Sequence, residues 1–547
     1  MERQYAIGLD YGTLSVRGIL LDMESGEEVG VESFDYPHGV VSHRLPDGTE
    51  IGQDYALAVP EDYLEGLGKV IKGLLKRCEV KPEQIKGIGL DVTSATVIPV
   101  DDKGTPVSML PGFGNRPHSY IKLWKHHGAV KWSDRMEEAA RERGEEWLPL
   151  SGGKIRCEMF IPKALETQAM DPEVYRKCGA FLEVGDWLTW YMTGVCTRSM
   201  SMAGGNSLYQ RGSGYPSEEF FKAAFPDQEP VTRKFRGTMI PLGRRAGRLV
   251  REAAEAMGLL CGTPVASPMV DSHAAVVGAG ADRAGDMTAV MGTSACYLMN
   301  SHTGEGIPGI YSSTYEAHIP EMFGYEGGQS CVGECLDWFV SNCVPSACER
   351  EAEEKGISVH ALLQNKVREM EPEAWRLMAL DWWNGVRSPL MRPELTGVIT
   401  GLTIHTKPEE IYRALMEAVC FGAKGIVEAF CKGGHPVERL IATGGIPAKS
   451  PLLMQMLADI CGMEVQVCRS KMASARGSAI MGAAVSDGTE QSARALKDWI
   501  RKLGSPAEVI YRPDYLRRGI YEARYGQYCR LADYFSSKPA DYQEDKS

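Results

Sequence analysis

Three short apolar runs in this chain each break on a small polar tip, and that recurrence constrains the fold more than any other feature. Residues 5–9 lead into Asp10-Tyr11-Gly12-Thr13-Leu14-Ser15-Val16-Arg17 and return through Gly18-Ile19-Leu20-Leu21. Residues 85–90 lead into Asp91-Val92-Thr93-Ser94-Ala95-Thr96 and return through Val97-Ile98-Pro99-Val100. Ala289-Val290-Met291 runs into Gly292-Thr293-Ser294. Apolar runs of this length, bounded by glycine and hydroxyl residues, read as strands and their tips as turns. A tip of this kind that returns after a helical stretch is what a duplicated nucleotide-binding fold requires, with 290–294 serving the second half as 10–17 serves the first.

The tips carry chemistry as well as shape. Backbone N–H groups in glycine-bearing turns, with the hydroxyls of Thr13, Ser15, Thr293 and Ser294, can donate to phosphate oxygens, and Asp10 can hold a hydrated Mg²⁺. Asp271 follows Ala266-Ser267-Pro268-Met269-Val270, which reads as a strand end, and precedes small residues fit for a helix start. A carboxylate at a strand end faces a cleft, and an acid beside a phosphate cradle suits phosphoryl transfer, with Asp271 accepting a hydroxyl proton. Two plainer readings compete: Asp271 as a helix cap, and each tip as an ordinary turn. His273 reads as an oriented or buried neighbour rather than a catalyst.

With 547 residues the chain is too long for one hydrophobic core, so two or more domains are expected. A net charge of −12 argues against a general nucleic-acid surface, while leaving a local ATP site open. The 15 cysteines show no CxxC pair or metal-ligand spacing and read as small core residues. No apolar run is long enough to span a bilayer and no signal peptide precedes the first strand, so a reducing cytoplasm is expected.

Residues 112–210 are rich in aromatic and polar side chains suited to a hydroxylated small molecule. His126-His127 in that region lacks the i,i+4 spacing of a zinc site and reads as a packed or solvated pair. Glu326 sits in the glycine-rich run Gly324-Tyr325-Glu326-Gly327-Gly328, where it can meet substrate hydroxyls. A strand at 439–443 ends in Gly444-Gly445 before a helix, and paired glycines there let a flat nucleoside approach the backbone.

Taken jointly, these stretches resemble the FGGY family of carbohydrate kinases, within the actin-like ATPase superfamily, over nearly the whole chain. Inside that family the resemblance is nearest to the L-ribulose kinases, through residues 118–127, Gly152-Gly153-Lys154-Ile155 and residues 324–330. The resemblance implies two α/β domains, each with a mixed sheet around a ribonuclease-H-like core, and a cleft between them. Residues 1–265 would form the first domain, 266–490 the second, and 491–547 a helical tail. It also implies transfer of the γ-phosphoryl group of ATP, with Mg²⁺, to the terminal hydroxyl of L-ribulose. Asp271 would be the base and Asp10 the metal residue. Thr13, Ser15 and Arg17 would meet phosphate from one domain and Gly292, Thr293 and Ser294 from the other, with Gly444 and Gly445 flanking adenosine. Ser94, Trp124, Asn206, Asp271 and Glu326 would line the sugar pocket. A homodimer is compatible with the resemblance; neither nucleic acid nor membrane is implied as a partner.

Two departures bear on the acceptor. Relatives tend to carry lysine in an Ala-Gly-x-Lys segment where this chain has Ala203-Gly204-Gly205-Asn206, and alanine where it has Ser94. Xylulose, ribitol or a related polyol therefore stands as an alternative acceptor, and a sugar sensor without chemistry as a third reading.

Overall fold

The computed structural model describes residues 3–370 and 376–537. The first half opens with β1 (Tyr5–Tyr11), β2 (Ser15–Asp22) and β3 (Glu28–Asp35), followed by α1 (Pro60–Arg77), β4 (Ile85–Val92) and β5 (Val97–Val100). After α2 (Phe160–Met170) and α3 (Met200–Ser207), the chain returns through β6 (Arg245–Arg248), β7 (Pro264–Ala266) and β8 (Met269–Val270) into α4 (Asp271–Gly278). Six of these strands form the sheet order β6-β7-β4-β1-β2-β3, with β8 also on β4. α1 begins on Pro60 with Glu61 and Asp62 in its first turn and ends on Lys76 and Arg77, complementing the helix dipole at both ends. Its Tyr63, Leu67, Val70, Ile71 and Leu74 face the sheet and join the core of the first half.

The second half repeats the plan. β9 (Asp286–Met291), β10 (Ala295–Ser301), β11 (Tyr311–Tyr315) and β12 (Phe323–Gln329) precede α5 (Gly333–Cys343) and α6 (Pro408–Lys432). β13 (Arg439–Thr443), α7 (Pro451–Cys461), β14 (Val465–Cys468), α8 (Ala473–Ala484), β15 (Ala507–Tyr511) and α9 (Tyr515–Ser536) complete it. The order is β11-β12-β10-β9-β13-β14-β15. In both sheets a hairpin, β1–β2 or β9–β10, lies parallel to a later strand, β4 or β13, so the two polar tips emerge at equivalent edges.

Two boundaries differ from the sequence reading. The expected division at 265/266 falls inside β7, because the Gly262-Thr263-Pro264 turn feeds strands that return to β4 of the first sheet; the second sheet begins only at Asp286. The expected helical tail contains β15, paired antiparallel with β14 as the edge of the second sheet. The last ten residues of that tail, 538–547, lie outside the described residues.

α4 and α8 cross between the halves. α8 follows β14 in the chain yet packs on β1 and β4 of the first sheet, while α4 reaches β9 and β10 of the second. Their contact is backbone on backbone. A Cβ on Gly278 would lie 1.9 Å from the Ala473 carbonyl oxygen, and one on Gly477 1.8 Å from that of Ala274. A shared core, including Ile19 and Leu21 from one sheet and Leu298 and Ile441 from the other, surrounds this seam.

Candidate active site

β1, β4 and β8 run side by side, so their carboxyl ends bring three acids together: Asp10, Asp91 and Asp271. Asp10 lies directly opposite Asp91 in the register of β1 and β4. Burial pushes both carboxyls up from their ordinary range; each also feels the other, and Arg17, cross-strand from Asp10, offsets part of the rise there. Asp91 Oδ2 accepts a hydrogen bond from Ser478 Oγ of α8 at 2.6 Å, whereas its buried Oδ1 has no hydrogen-bond partner among the described residues. Two facing carboxyls with an unsatisfied oxygen fit a hard divalent cation, which would relieve the burial and repulsion that hold their protons on.

Asp271 is the first residue of α4. The position before it, Val270, makes no side-chain cap, and the Asp271 Oδ1 accepts the adjacent Ser272 N–H, at 2.6 Å. The side chain thus meets one free N–H of the first turn, as the helix-cap reading expects, but from the first helical position and not from the cap position. Burial, then the negative charge of Asp10 and of Glu326, raises the Asp271 carboxyl to about 7. A carboxyl held there is half ionised near neutral pH, which suits proton transfer from an alcohol.

The first tip closes through Gly12 N–H donating to the Ser15 carbonyl at 3.0 Å, leaving Thr13 and Leu14 at the turn and Arg17 exposed at its side. Trp124, itself substantially exposed, donates its indole N–H to Thr13 Oγ1 at 3.0 Å. Ser94 Oγ donates to Asn206 Oδ1 at 2.7 Å, joining the tip after β4 to α3. The Asn206 Nδ2 is buried without a hydrogen-bond partner among the described residues. Nearby Glu183 has its carboxyl raised to about 8 by burial and Asp186. Glu326 on β12 takes the Arg387 Nη2 contact at 3.4 Å and lies close enough to Asp271 to raise it.

The second tip has a different composition. Gly292 N–H donates to the Ser294 carbonyl at 2.8 Å, and the carbonyls of Gly292 and Thr293 accept from Gly333 and Val332 at the start of α5. This removes the Gly292 N–H from the phosphate donors expected there; the hydroxyls of Thr293 and Ser294 remain on an accessible turn. Because β9 and β13 are in register at Val290 and Thr443, the tip abuts Gly444-Gly445. Gly444 has φ +104°, and a Cβ there would lie 2.5 Å from the Met291 carbonyl oxygen, so only glycine fits the turn; Gly445 is open to solvent.

Two residues escaped the sequence reading. Asp91 stood in the second tip as an acid, but its pairing with Asp10 depends on strand register. Lys163 of α2 is fully buried and donates to the carbonyls of Ala95, at 2.8 Å, and Leu123, at 2.7 Å. It thereby ties together the segments carrying Ser94 and Trp124, and Ala95 holds φ +48° between them. Burial lowers this ammonium to about 7. The His273 ring behaves as a neighbour: burial lowers it to about 4, and it stacks edge-on with His318 at 4.5 Å.

Comparison with known proteins agrees with this geometry. Residues 5–278 match the N-terminal domain of the FGGY family of carbohydrate kinases and residues 287–486 its C-terminal domain. Among curated relatives, the ribulokinase of Anoxybacillus flavithermus is 42% identical, covering 98% of this chain and 95% of that protein. That of Staphylococcus aureus strain Newman is 36% identical, over 99% and 98%. Among solved structures, the xylulose kinase of Rhodospirillum rubrum superposes with a TM-score of 0.79 at 22% identity, covering 97% of this chain and 99% of that one. The gluconate kinase of Lactobacillus acidophilus gives 0.81 at 16%, covering 98% and 99%; these two show the fold. The chain belongs to the FGGY family of carbohydrate kinases and is a sugar kinase that works with ATP and Mg²⁺.

Proposed function

We propose that this FGGY-family kinase transfers the γ-phosphoryl group of ATP to the terminal hydroxyl of a ketopentose, L-ribulose first among them, giving L-ribulose 5-phosphate. The observation that carries the reading is Asp271: a carboxyl raised to about 7 at the end of the first sheet, beside the Asp10–Asp91 pair. Asp271 accepts the proton of the sugar hydroxyl as its oxygen attacks phosphorus and the bond to the ADP oxygen breaks. Asp10 and Asp91 would hold Mg²⁺, which supplies charge neutralisation across the phosphate oxygens.

Thr13, Ser15 and Arg17 meet phosphate from the first half, and Thr293 and Ser294 from the second, where Gly292 shapes the turn without donating its N–H. Gly444 and Gly445 flank adenosine. Ser94, Trp124, Asn206 and Glu326 orient the sugar, and the Trp124–Thr13 hydrogen bond ties the sugar side to the phosphate tip. The two halves, each built on its own sheet, act as the lobes whose closure excludes water as a competing acceptor. ATP-dependent sugar phosphorylation fits a cytoplasmic protein, and no helix among the described residues is long and apolar enough to cross a membrane. A homodimer fits the same reading.

A second acceptor has specific support. Ser94 and Asn206 bond to each other, placing an amide where relatives resemble one another in lysine, and that change suits xylulose, ribitol or another polyol.

The test is ADP release from Mg·ATP against L-ribulose, D-ribulose, both xyluloses, ribitol and glycerol, with Asp271→Asn and Asn206→Lys in parallel. We expect the strongest response with L-ribulose and a loss of about 10²–10⁴-fold in turnover for Asp271→Asn. A preference for another sugar that Asn206→Lys shifts toward L-ribulose would establish the second acceptor. Near-normal turnover in folded Asp271→Asn would remove the base assignment, and silence across the whole panel would restore the sensor.

A further inference from the structure

The sequence reading set aside His126-His127 as a metal site for want of spacing, but the fold supplies ligands from elsewhere in the chain. His126 turns inward, its Nε2 2.8 Å from the buried Glu166 carboxylate. His127 turns outward, toward Cys157 and Glu158 in the segment that enters α2. The ligand atoms of His127, Cys157 and Glu158 all lie within 4.8 Å of one another, and His127 Nε2 stands 3.4 Å from Glu158 Oε1. We propose that His127, Cys157 and Glu158 form a binding site for Zn²⁺ or a similar borderline-soft divalent cation, separate from the Mg²⁺ carboxylates.

The donor set argues for that class of ion. One imidazole nitrogen, one thiolate and one carboxylate oxygen match zinc, whereas Mg²⁺ takes oxygen donors. Three protein ligands leave a fourth tetrahedral position for water. Zinc bonds of about 2.0–2.3 Å put tetrahedral ligand atoms roughly 3.3–3.8 Å apart, so the widest edge must shorten by about 1 Å. His127 and Glu158 are both partly exposed, and rotation of their side chains supplies that movement.

The neighbouring cations have partners besides Glu158, whose carboxyl, despite its burial, His127 and Arg156 hold down to about 2. Lys163 donates to two carbonyls, and Arg156 lies over the Tyr311 ring at 4.1 Å. Without a metal, burial and the adjacent Glu158 push the Cys157 thiol up to about 12, so metal binding must expel its proton. His127 N–H is fixed to the Asp54 carbonyl at 2.9 Å, and Trp124 lies three residues before it. A bound ion would staple the Trp124 segment to the start of α2.

The experiment uses the full chain, stripped with EDTA and held in excess Mg²⁺ to occupy oxygen-ligand sites, and titrated calorimetrically with Zn²⁺. In parallel, Co²⁺ is added to read the thiolate-to-cobalt absorption band. We expect one tight equivalent of zinc, a cobalt–thiolate band and a higher Tm with zinc. Cys157→Ser and His127→Ala should each weaken zinc by at least the roughly 10–100-fold that loss of even an outer-shell partner costs. Cys157→Ala repeats the test should the serine variant fail to fold. No cobalt–thiolate band in the parent protein, or undiminished zinc affinity in either the Cys157 or the His127 variant, would overturn the site.

Discussion

The two hairpin tips have the same topology and opposite chemistry. The β1–β2 tip opens beside three carboxyls, Asp10, Asp91 and Asp271, all raised by burial, with the charge of Asp10 raising Asp91 and Asp271 further. The β9–β10 tip, Gly292-Thr293-Ser294, carries no titratable side chain and presents backbone and hydroxyls next to Gly444-Gly445. The frame occurs twice, and only the first copy gathers buried carboxyls at its tip. The second contributes shape, so substitutions in the two tips should differ in kind as well as in size.

The sharpest way to break this contrast is to neutralise one member of the facing acid pair. Asp91→Asn should lower kcat on the order of a hundredfold or more and raise the Mg²⁺ concentration needed for half-maximal rate. A Mg²⁺ dependence identical to the parent would assign Asp91 to packing alone.

The proton chemistry of the first tip should also show in pH. With Asp271 titrating at about 7, kcat/KM should fall about tenfold per unit as pH drops below 7. Stability should move the other way. The folded value lies above the ordinary 3.8, so between those values the folded state keeps a proton that the unfolded chain releases. This group's contribution is therefore complete below about pH 4 and lost as pH rises through 7. Asp271→Asn should melt above the parent at pH 8, by on the order of a few degrees, with the gap closing in acid. Equal melting temperatures at pH 8 would contradict the buried, raised carboxyl.

A residue that acts only by holding others should split the kinetic constants. Lys163→Met removes the clamp on the Ala95 and Leu123 carbonyls and should raise the sugar KM about tenfold, with a smaller change in kcat and none in the KM for ATP. Equal effects on both KM values would point to general loosening. The smallest effect belongs to the second tip: Thr293→Ala with Ser294→Ala keeps the backbone and should raise the KM for ATP only about two- to fivefold. A loss as large as that of Asp91→Asn would erase the contrast between the tips.

What the sequence disclosed follows the same line. The strands flanking each tip and the placement of Asp271 at a strand end were legible because period, turn residues and covalent neighbours are local signals. The Asp91–Ser478 hydrogen bond, the Lys163 clamp and the approach of Cys157 to His127 join residues far apart in the chain, and no spacing records them. The same holds for β7 and β8. Ala266 to Val270 read as one strand end leading to Asp271; the structure breaks it at Ser267-Pro268, and only register shows that both pieces complete the first sheet and not the second.

The glycine-on-backbone crossing of α4 and α8 gives Asp271 an unusual mounting. Side chains that interlock resist sliding, whereas Gly278 against Ala473 and Gly477 against Ala274 offer a smooth bearing with almost nothing to catch. Asp271 begins the very helix that Gly278 ends and follows β8 of the first sheet, so the acid is fixed beside Asp10 and Asp91 at one end of this crossing. Any relative movement of the two sheets would therefore carry the second tip past a carboxyl that stays with the first.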